Sequence, residues 1–425
     1  MPIIDRMDVD YRPSWPILRR FARERVVSGL ASMPVVFLTG PRQAGKSTLV
    51  RHLLNDNPKR AYLTLDDALL FESARSDPDG FVAQLQLPVT IDEIQRVPEL
   101  FLAIKARVDR ERVNGSFLLT GSSNITLTSR VADSLAGRMT TVHCWPFTQL
   151  EIEGATGTFL DTIFEESFPA IRITGSADLP ERILRGGYPP ALHASPPVTG
   201  LREFIGGLVT SLLQRDIRDL VSISDVFELQ RILRLLAAQP AGELNITRLA
   251  SDLALPRTTL QNYLRLLELT YLTYTLPSWS TNPRTRMVKT PKVYFVDTAI
   301  ACYEAGIDRG RLQTDTLAFG HLLENFVVSE IFKMASWHPL RIELSHYRTH
   351  AGREVDLVLE RSDRRVVGIE IKASRLVTPQ DLRGLNDLRQ ALGDRFVRGI
   401  ILCQSDQLIM LDGHMIVPIS ALWST

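Results

Sequence analysis

Residues 35 to 50 read VVFLTGPRQAGKSTLV, and no other stretch constrains the fold as tightly. An apolar run from Val35 to Leu38 enters a loop bounded by Gly40 and Gly45 and leaves it through Lys46, Ser47 and Thr48. That is the strand, loop, helix order of a phosphate-binding loop in an α/β fold. The glycines let backbone N–H groups curl around phosphate oxygens, and the following helix points its positive end at them. Gly40, Gln43, Ala44, Gly45, Lys46, Ser47 and Thr48 are therefore the candidate nucleotide contacts, with Lys46 on the outer phosphates and Ser47 on Mg²⁺. A chance GxxxxGKS match in a glycine-rich turn would not explain the flanking strand and helix.

Acids to complete such a site follow. AYLTLDD (61 to 67) reads as a second strand, and LPVTIDEIQRVPEL delivers Asp92 and Glu93 at the end of a buried run. Asp92 is the candidate to hold Mg²⁺ through water, and Glu93 to polarise the attacking water. SFLLTGSSN (116 to 124) is a further buried strand with a polar tip, in which Ser122, Ser123 or Asn124 can sense the outer phosphate. Polar residues after a strand are also the ordinary makings of a turn.

Composition narrows the class. With 425 residues, 44% apolar and 23% charged, the chain is expected to fold as two or three soluble domains. A net charge of +1 gives no global bias, so a nucleic-acid partner has to be argued from local patches. No apolar run approaches the roughly 20 residues of a membrane span, and MPIIDRMDVDYRPSW lacks a signal core. A cytoplasmic location without membrane partners is the expectation. Cys144, Cys302 and Cys403 are odd in number and scattered, which argues against a disulfide framework or a structural zinc site.

The strand between the phosphate loop and the Asp92–Glu93 pair, with the polar tip after the fourth strand, resembles the AAA-type branch of P-loop ATPases. That resemblance implies an arginine supplied either by a lid or by another copy of the chain, and the second alternative would make the protein a homo-oligomer. Arg130 and Arg138 in SRVADSLAGRM are the candidates, each equally readable as a surface arginine.

After WPFTQLE (145 to 151) the pattern becomes irregular, ILRGGYPPAL (183 to 192) marks a turn-rich junction, and helical periodicity resumes from Leu201. Residues 243 to 276 resemble a winged helix-turn-helix. Asn245 or Thr247 starts one helix, Leu255-Pro256 makes the turn, and Thr258 to Leu267 form a second helix before a β-rich run. The second helix would present Arg257, Thr258, Thr259, Gln261, Asn262 and Arg265 to DNA, and Arg284, Arg286, Lys289 and Lys292 would add a basic stripe for phosphates. A packing module without nucleic acid fits the same pattern.

Near the carboxyl end, REVDLVLERSDRRVVGIEIKAS (353 to 374) alternates apolar and charged residues on both sides of a polar turn. The simplest explanation is an amphipathic hairpin with its charges in water. The particular set of charges, Asp-X13-Glu-X-Lys, also suits a metal-dependent phosphodiesterase. In that reading Asp356 and Glu370 bind Mg²⁺, or Mn²⁺ in its place, and Lys372 orients the water or steadies phosphorane charge. The amphipathic helix GHLLENFVVSEIF (320 to 332) can bring Glu324 to the same metal, while a helix over 378–392 and a strand over 397–403 follow. This order resembles the restriction-endonuclease-like phosphodiesterases, with Val355 where their motif carries a proline.

Taken together, GPRQAGKS, IDEIQ, TGSS, LAGR, RGGYP, QRDI, the LLEN helix, EVD and EIKAS resemble a widespread prokaryotic family in which an AAA-type ATPase domain precedes a conserved domain of unknown function. The expected organisation is an ATPase domain over 1–150, a lid and helical linker over 151–225, a winged-helix-like middle over 226–295 and a nuclease-like α/β domain over 296–425. Two functions follow. One is ATP-gated, metal-dependent cleavage of nucleic acid, DNA favoured over RNA. The other is a nucleotide-switched DNA-binding regulator with an inactive nuclease fold. A toxin-like or defence role is compatible with both, and no helicase signature beyond the ATP site is present.

Overall fold

Strand β1 (Val35–Thr39) is buried at every position because helices cover both faces of its sheet. It is joined in parallel by β2 (Ala61–Thr64), β3 (Val89–Asp92), β4 (Phe117–Gly121) and β5 (Met139–His143), in the order β2–β3–β4–β1–β5. A parallel sheet covered on both faces reads as near-continuous apolar runs, which is why VVFLT and FLLTG lack polar alternation. Successive side chains still point to opposite faces. Val35 and Phe37 enter the core formed with α3 (Ala68–Ser76), α4 (Pro78–Gln84) and α5 (Leu100–Arg110). Val36 and Leu38 enter the core formed with α1 (Phe21–Ser32) and α2 (Lys46–Asp56).

Parallel order has a functional consequence. The segments that follow β1, β3 and β4 all leave from one edge of the sheet, so the glycine loop, the Asp92–Glu93 pair and Ser122 are gathered there. Arg138 precedes β5 and lies at the opposite edge.

The computed structural model describes residues 17–122, 135–157, 159–165, 178–195, 197–217, 226–280, 289–349 and 352–424. Ser123, Asn124, Arg130, Arg284 and Arg286, singled out in the sequence, lie outside them. Contacts group the chain into two compact units, Met1–Pro146 with Leu269–Tyr271, and Phe147–Glu268 with Leu272–Thr425. The sequence reading draws four segments instead. One reason for the coarser grouping is that Phe295, at its 295/296 boundary, is held at both N–H and C=O by Asn325 at 2.8 and 2.9 Å.

In the second unit, α6 (Val226–Ala238) precedes α7 (Ile246–Leu253) and α8 (Arg257–Leu269). Asn245 caps α7 by accepting the Arg248 N–H at 3.0 Å, and Ala254 closes it in the left-handed region at φ 55°. β6 (Thr273–Leu276) then pairs antiparallel with β7 (Lys292–Phe295). A 22-residue helix, α9 (Thr316–Trp337), follows.

The remaining strands are β8 (Ile342–Arg348), β9 (Glu354–Arg361), β10 (Val366–Ile371), β11 (Phe396–Cys403), β12 (Ile409–Leu411) and β13 (His414–Pro418). They form one mixed sheet in the order β12–β13–β11–β10–β9–β8. β8, β9 and β10 are antiparallel, whereas β10, β11 and β13 run parallel. The helix α10 (Arg383–Leu392) packs Leu385, Leu388 and Leu392 onto Val355, Val358, Val366 and Ile401. α9 contacts β8 and β10 as well.

Three local expectations are corrected. The β9–β10 hairpin does not leave its charges in water: β10 is buried throughout and Asp356 is only 9% exposed, because helices pack on the sheet and bring both strands inside. The helix expected over 378–392 begins at Arg383; before it, Asp381 accepts the Thr378 N–H and hydroxyl, each at 2.8 Å, which favours a turn. Lys292, read as part of an outward basic stripe, is buried, for the reason given below.

Candidate functional site

In the first unit the glycine loop makes a turn that only small residues permit. Gly40 has φ 152° and a Cβ there would lie 2.2 Å from the Cys144 carbonyl oxygen; Gly45 has φ 94°. Gln43 is left-handed too, at φ 58°, and Ala44 is buried. Lys46 begins α2, and its Nζ donates to the carbonyls of Gly40 at 2.9 Å and Pro41 at 2.8 Å. Burial holds its ammonium below the usual lysine range, partly offset by Glu93, Cys144 and Asp92. Thr48 lies half-buried in the first turn of α2.

Ser47 Oγ donates to Asp92 Oδ2 at 3.0 Å, so the hydroxyl and the carboxylate suited to Mg²⁺ already meet. Tyr62 OH donates to the same oxygen at 2.6 Å, and Thr120 Oγ1 donates to Asp92 Oδ1. Thr120 also accepts the Glu93 N–H at 3.2 Å. Glu93 itself sits in the left-handed region, at φ 60°, a conformation concentrated at functional sites. Gln95 Nε2 donates to Glu93 Oε2 and, at 2.9 Å, to Ser122 Oγ. The loop, both acids and Ser122 thus converge, while Arg138 does not join them: it pairs with Asp109 at the far edge and cannot reach this loop within the same chain.

Sequence reasoning missed Tyr62, Gln95 and Thr120. A signal for Thr120 existed, since it breaks the apolar run of β4 one residue before the glycine. Tyr271 was missed as well. Its hydroxyl lies 2.8 Å from Thr39 Oγ1, and its ring meets Trp145 edge-on at 5.3 Å between centroids, with His143 stacked on Trp145.

In the second unit a break in register sets up the acidic site. Ser345 faces Val358 and Tyr347 faces Val355, so β9 carries one residue more than β8 between these pairs. Asp356 lies in this bulge, a device that re-aims side chains. Its Oδ2 accepts the Ile371 N–H at 2.8 Å, beyond the last ladder pair, Ile369 with Leu357. Glu370 is 8% exposed; its Oε1 pairs with Lys372 Nζ at 2.9 Å, and Lys372 also reaches Asp381 at 3.4 Å. Glu324, from α9, accepts from Lys292 Nζ and from Tyr294 OH, each at 2.8 Å.

Burial, reinforced by Asp356, pushes Glu324 up to about 8 and Glu370 well above the usual carboxylate range. Asp356 is raised by burial against the pull of Lys292. Lys372 is held above the usual lysine range despite its burial, chiefly by Glu370. The predicted set Glu324, Asp356, Glu370 and Lys372 is therefore brought together. Lys292, Glu354 and Tyr294 join it without having been foreseen. Period-two alternation in KVYF puts Lys292 and Tyr294 on one side, which was the available signal.

Glu370 Oε2 is buried without a hydrogen-bond partner, which makes it an acceptor suited to a hard cation. Against that, no group of three or more Asp, Glu, His or Cys among the described residues is arranged to hold a metal ion. On α8, Arg257, Thr258, Gln261, Asn262 and Arg265 are exposed and Thr259 is half-buried. No helix among the described residues is long and apolar enough to cross a membrane.

Sequence comparison matches an AAA domain over residues 32–153, a domain of unknown function (DUF8612) over 176–311 and another (DUF4143) over 319–422. Among solved structures, the Walker-type ATPase PABY2304 of Pyrococcus abyssi is similar at 17% identity, covering 70% of this chain and 99% of that one with a TM-score of 0.41. AMPPCP-bound DnaA from Aquifex aeolicus is similar at 14%, covering 59% and 87%, with a TM-score of 0.30. The uncharacterized proteins Rv2008c of Mycobacterium tuberculosis and Mb2031c of Mycobacterium bovis are each 31% identical over 379 residues, which is 89% of this chain and 78% of theirs. The chain belongs to the family of these two mycobacterial proteins, and its amino-terminal part is an AAA-type P-loop ATPase domain.

Proposed function

We propose that the chain hydrolyses ATP and uses its nucleotide state to control metal-dependent phosphodiester chemistry on nucleic acid in its carboxyl half. In the ATPase site Lys46 binds the outer phosphates, Ser47 and Asp92 hold Mg²⁺, and Glu93, steadied by Gln95, orients the attacking water. The observation that carries the second part is the carboxyl donor set itself: Asp356 re-aimed by a bulge, Glu370 with an unpartnered buried oxygen, and Lys372 at 2.9 Å from Glu370. A divalent ion held by Asp356 and Glu370 would supply Lewis-acid stabilisation of phosphoryl oxygens and a water of lowered pKa. Lys372 would bind the phosphate and position that water. The exposed polar face of α8 supports DNA as the preferred substrate, in the manner of a recognition helix.

A second reading, a nucleotide-switched DNA-binding regulator that does not cut, is favoured by one feature: Lys292 already neutralises part of the acid cluster. A cleavage assay on single- and double-stranded DNA and RNA, with Mg²⁺ or Mn²⁺ and with or without ATP, separates the two. Cutting by the wild type that is lost in Asp356→Ala while ATP hydrolysis persists is the expected result, and Lys46→Ala then reports whether ATP gates it. No product in any lane, with ATP hydrolysis intact and binding dependent on nucleotide, would leave the regulator.

A further inference from the structure

Lys292 opens β7 and is 4% exposed, and three carboxylates surround its ammonium. Its Nζ lies 2.8 Å from Glu324 Oε1, 2.7 Å from Glu354 Oε1 and 3.7 Å from Asp356 Oδ1. Glu324 and Glu354 lie within hydrogen-bond distance of the ammonium, and Asp356, farther off, faces it as a charge contact. These contacts also explain why the described acids do not form a ready metal site: Glu324 and Asp356 face an ammonium.

One oxygen is left over. Glu370 Oε2, on the neighbouring strand, is buried and unpartnered, although Glu370 Oε1 has Lys372. Burying such an acceptor without a proton or a cation is costly. Asp356 stands between the two arrangements, because its Oδ2 is committed to the Ile371 N–H while its Oδ1 faces Lys292. A metal ion shared by Glu370 and Asp356 would compete with the lysine for the Asp356 carboxylate.

We propose that Lys292 is a built-in counter-cation that competes with a divalent metal ion for Asp356 and Glu324. The inference rests on the phosphodiesterase-like reading of this site and names its restraint. Lys292 is registered against Leu276 in the β6–β7 ladder, so its backbone is fixed by the two-stranded ladder that follows α8. Release of the acids therefore requires the side chain to turn away or β7 to shift.

The test is a Mn²⁺ titration of the full nucleotide-free chain, with free Mn²⁺ followed by electron paramagnetic resonance. In Lys292→Met the dissociation constant is expected to fall at least tenfold relative to wild type. Adding Asp356→Asn should abolish the gain. Lys289→Met, with the same change in charge three residues away, should stay within about twofold of wild type, against the roughly tenfold change that one hydrogen-bonded charge contact supplies. Where Lys292→Met folds poorly, a double variant carrying Glu354→Gln as well lowers the acid charge by one and gives the same readout. Wild type that binds Mn²⁺ through Asp356, with Lys292→Met no tighter, overturns the competition and leaves the metal-site reading standing. An equal gain in Lys289→Met also overturns it. Absence of Asp356-dependent binding in every folded variant overturns both.

Discussion

Thr120 shows how much of the ATPase site depends on a single hydroxyl. It donates to Asp92 Oδ1 and accepts the Glu93 N–H, so one side chain orients both acids. Thr120→Val keeps the volume and removes both bonds. Leaving a buried carboxylate oxygen unpartnered costs about 1–3 kcal/mol, and kcat for ATP hydrolysis should fall at least about tenfold with KM little changed, since the phosphate loop is untouched. Thr120→Ser should restore most of the loss; steady-state kinetics on both variants decide. Such a residue is hard to read from sequence. Lys46 and Ser47 are legible because the loop is local, with spacing and function in one stretch. Thr120 matters only because parallel register sets the ends of β3 and β4 side by side, a relation between residues 28 positions apart.

At the level of elements, the short helix Gln149–Ile152 and α9 are tied by Glu330, which accepts the Gln149 N–H at 2.6 Å and lies 3.6 Å from Lys333. Burial pushes Glu330 up to about 7, more than Lys333 pulls it down. A carboxyl with a raised folded pKa binds more protons in the native state than in the unfolded state between about 4.5 and 7. Stability from this group is therefore complete below about 4.5 and is lost as pH rises through about 7. Glu330→Gln keeps an acceptor for Gln149 and abolishes the titration. Urea denaturation should find the variant gaining on wild type by about 2–3 kcal/mol between pH 5 and pH 8, and an unchanged difference would refute the assignment. The hairpin β9–β10 makes the matching point about legibility. Its strands and turn were plain from alternation, but the burial of its charges was not, because that is imposed by helices from other parts of the chain. Lys292 was misread for the same reason: a lysine beside other basic residues looks like surface until tertiary packing encloses it with three acids.

For the whole molecule, two compact units predict two responses to ligand. Mg²⁺ with a non-hydrolysable ATP analogue at about 100 times its dissociation constant should stabilise the unit carrying Lys46 by about 2.7 kcal/mol. Differential scanning calorimetry should show one transition moving upward, and Lys46→Ala should remove the shift. A single transition moving as one body would contradict separable units. The boundary between the units is unusual in one respect. Leu269–Tyr271 belongs with the amino-terminal unit although the residues on both sides belong to the other, and Tyr271 closes on Thr39, immediately before Gly40. Severing the gene after Pro146 would therefore not yield a complete ATPase. The excised piece would lack the tyrosine that packs on Trp145 and bonds Thr39, and the other product would carry that ring with nothing to close on. Fission, circular permutation or exchange of halves between relatives must carry those three residues along with the phosphate loop, so the inheritable module is discontinuous in sequence.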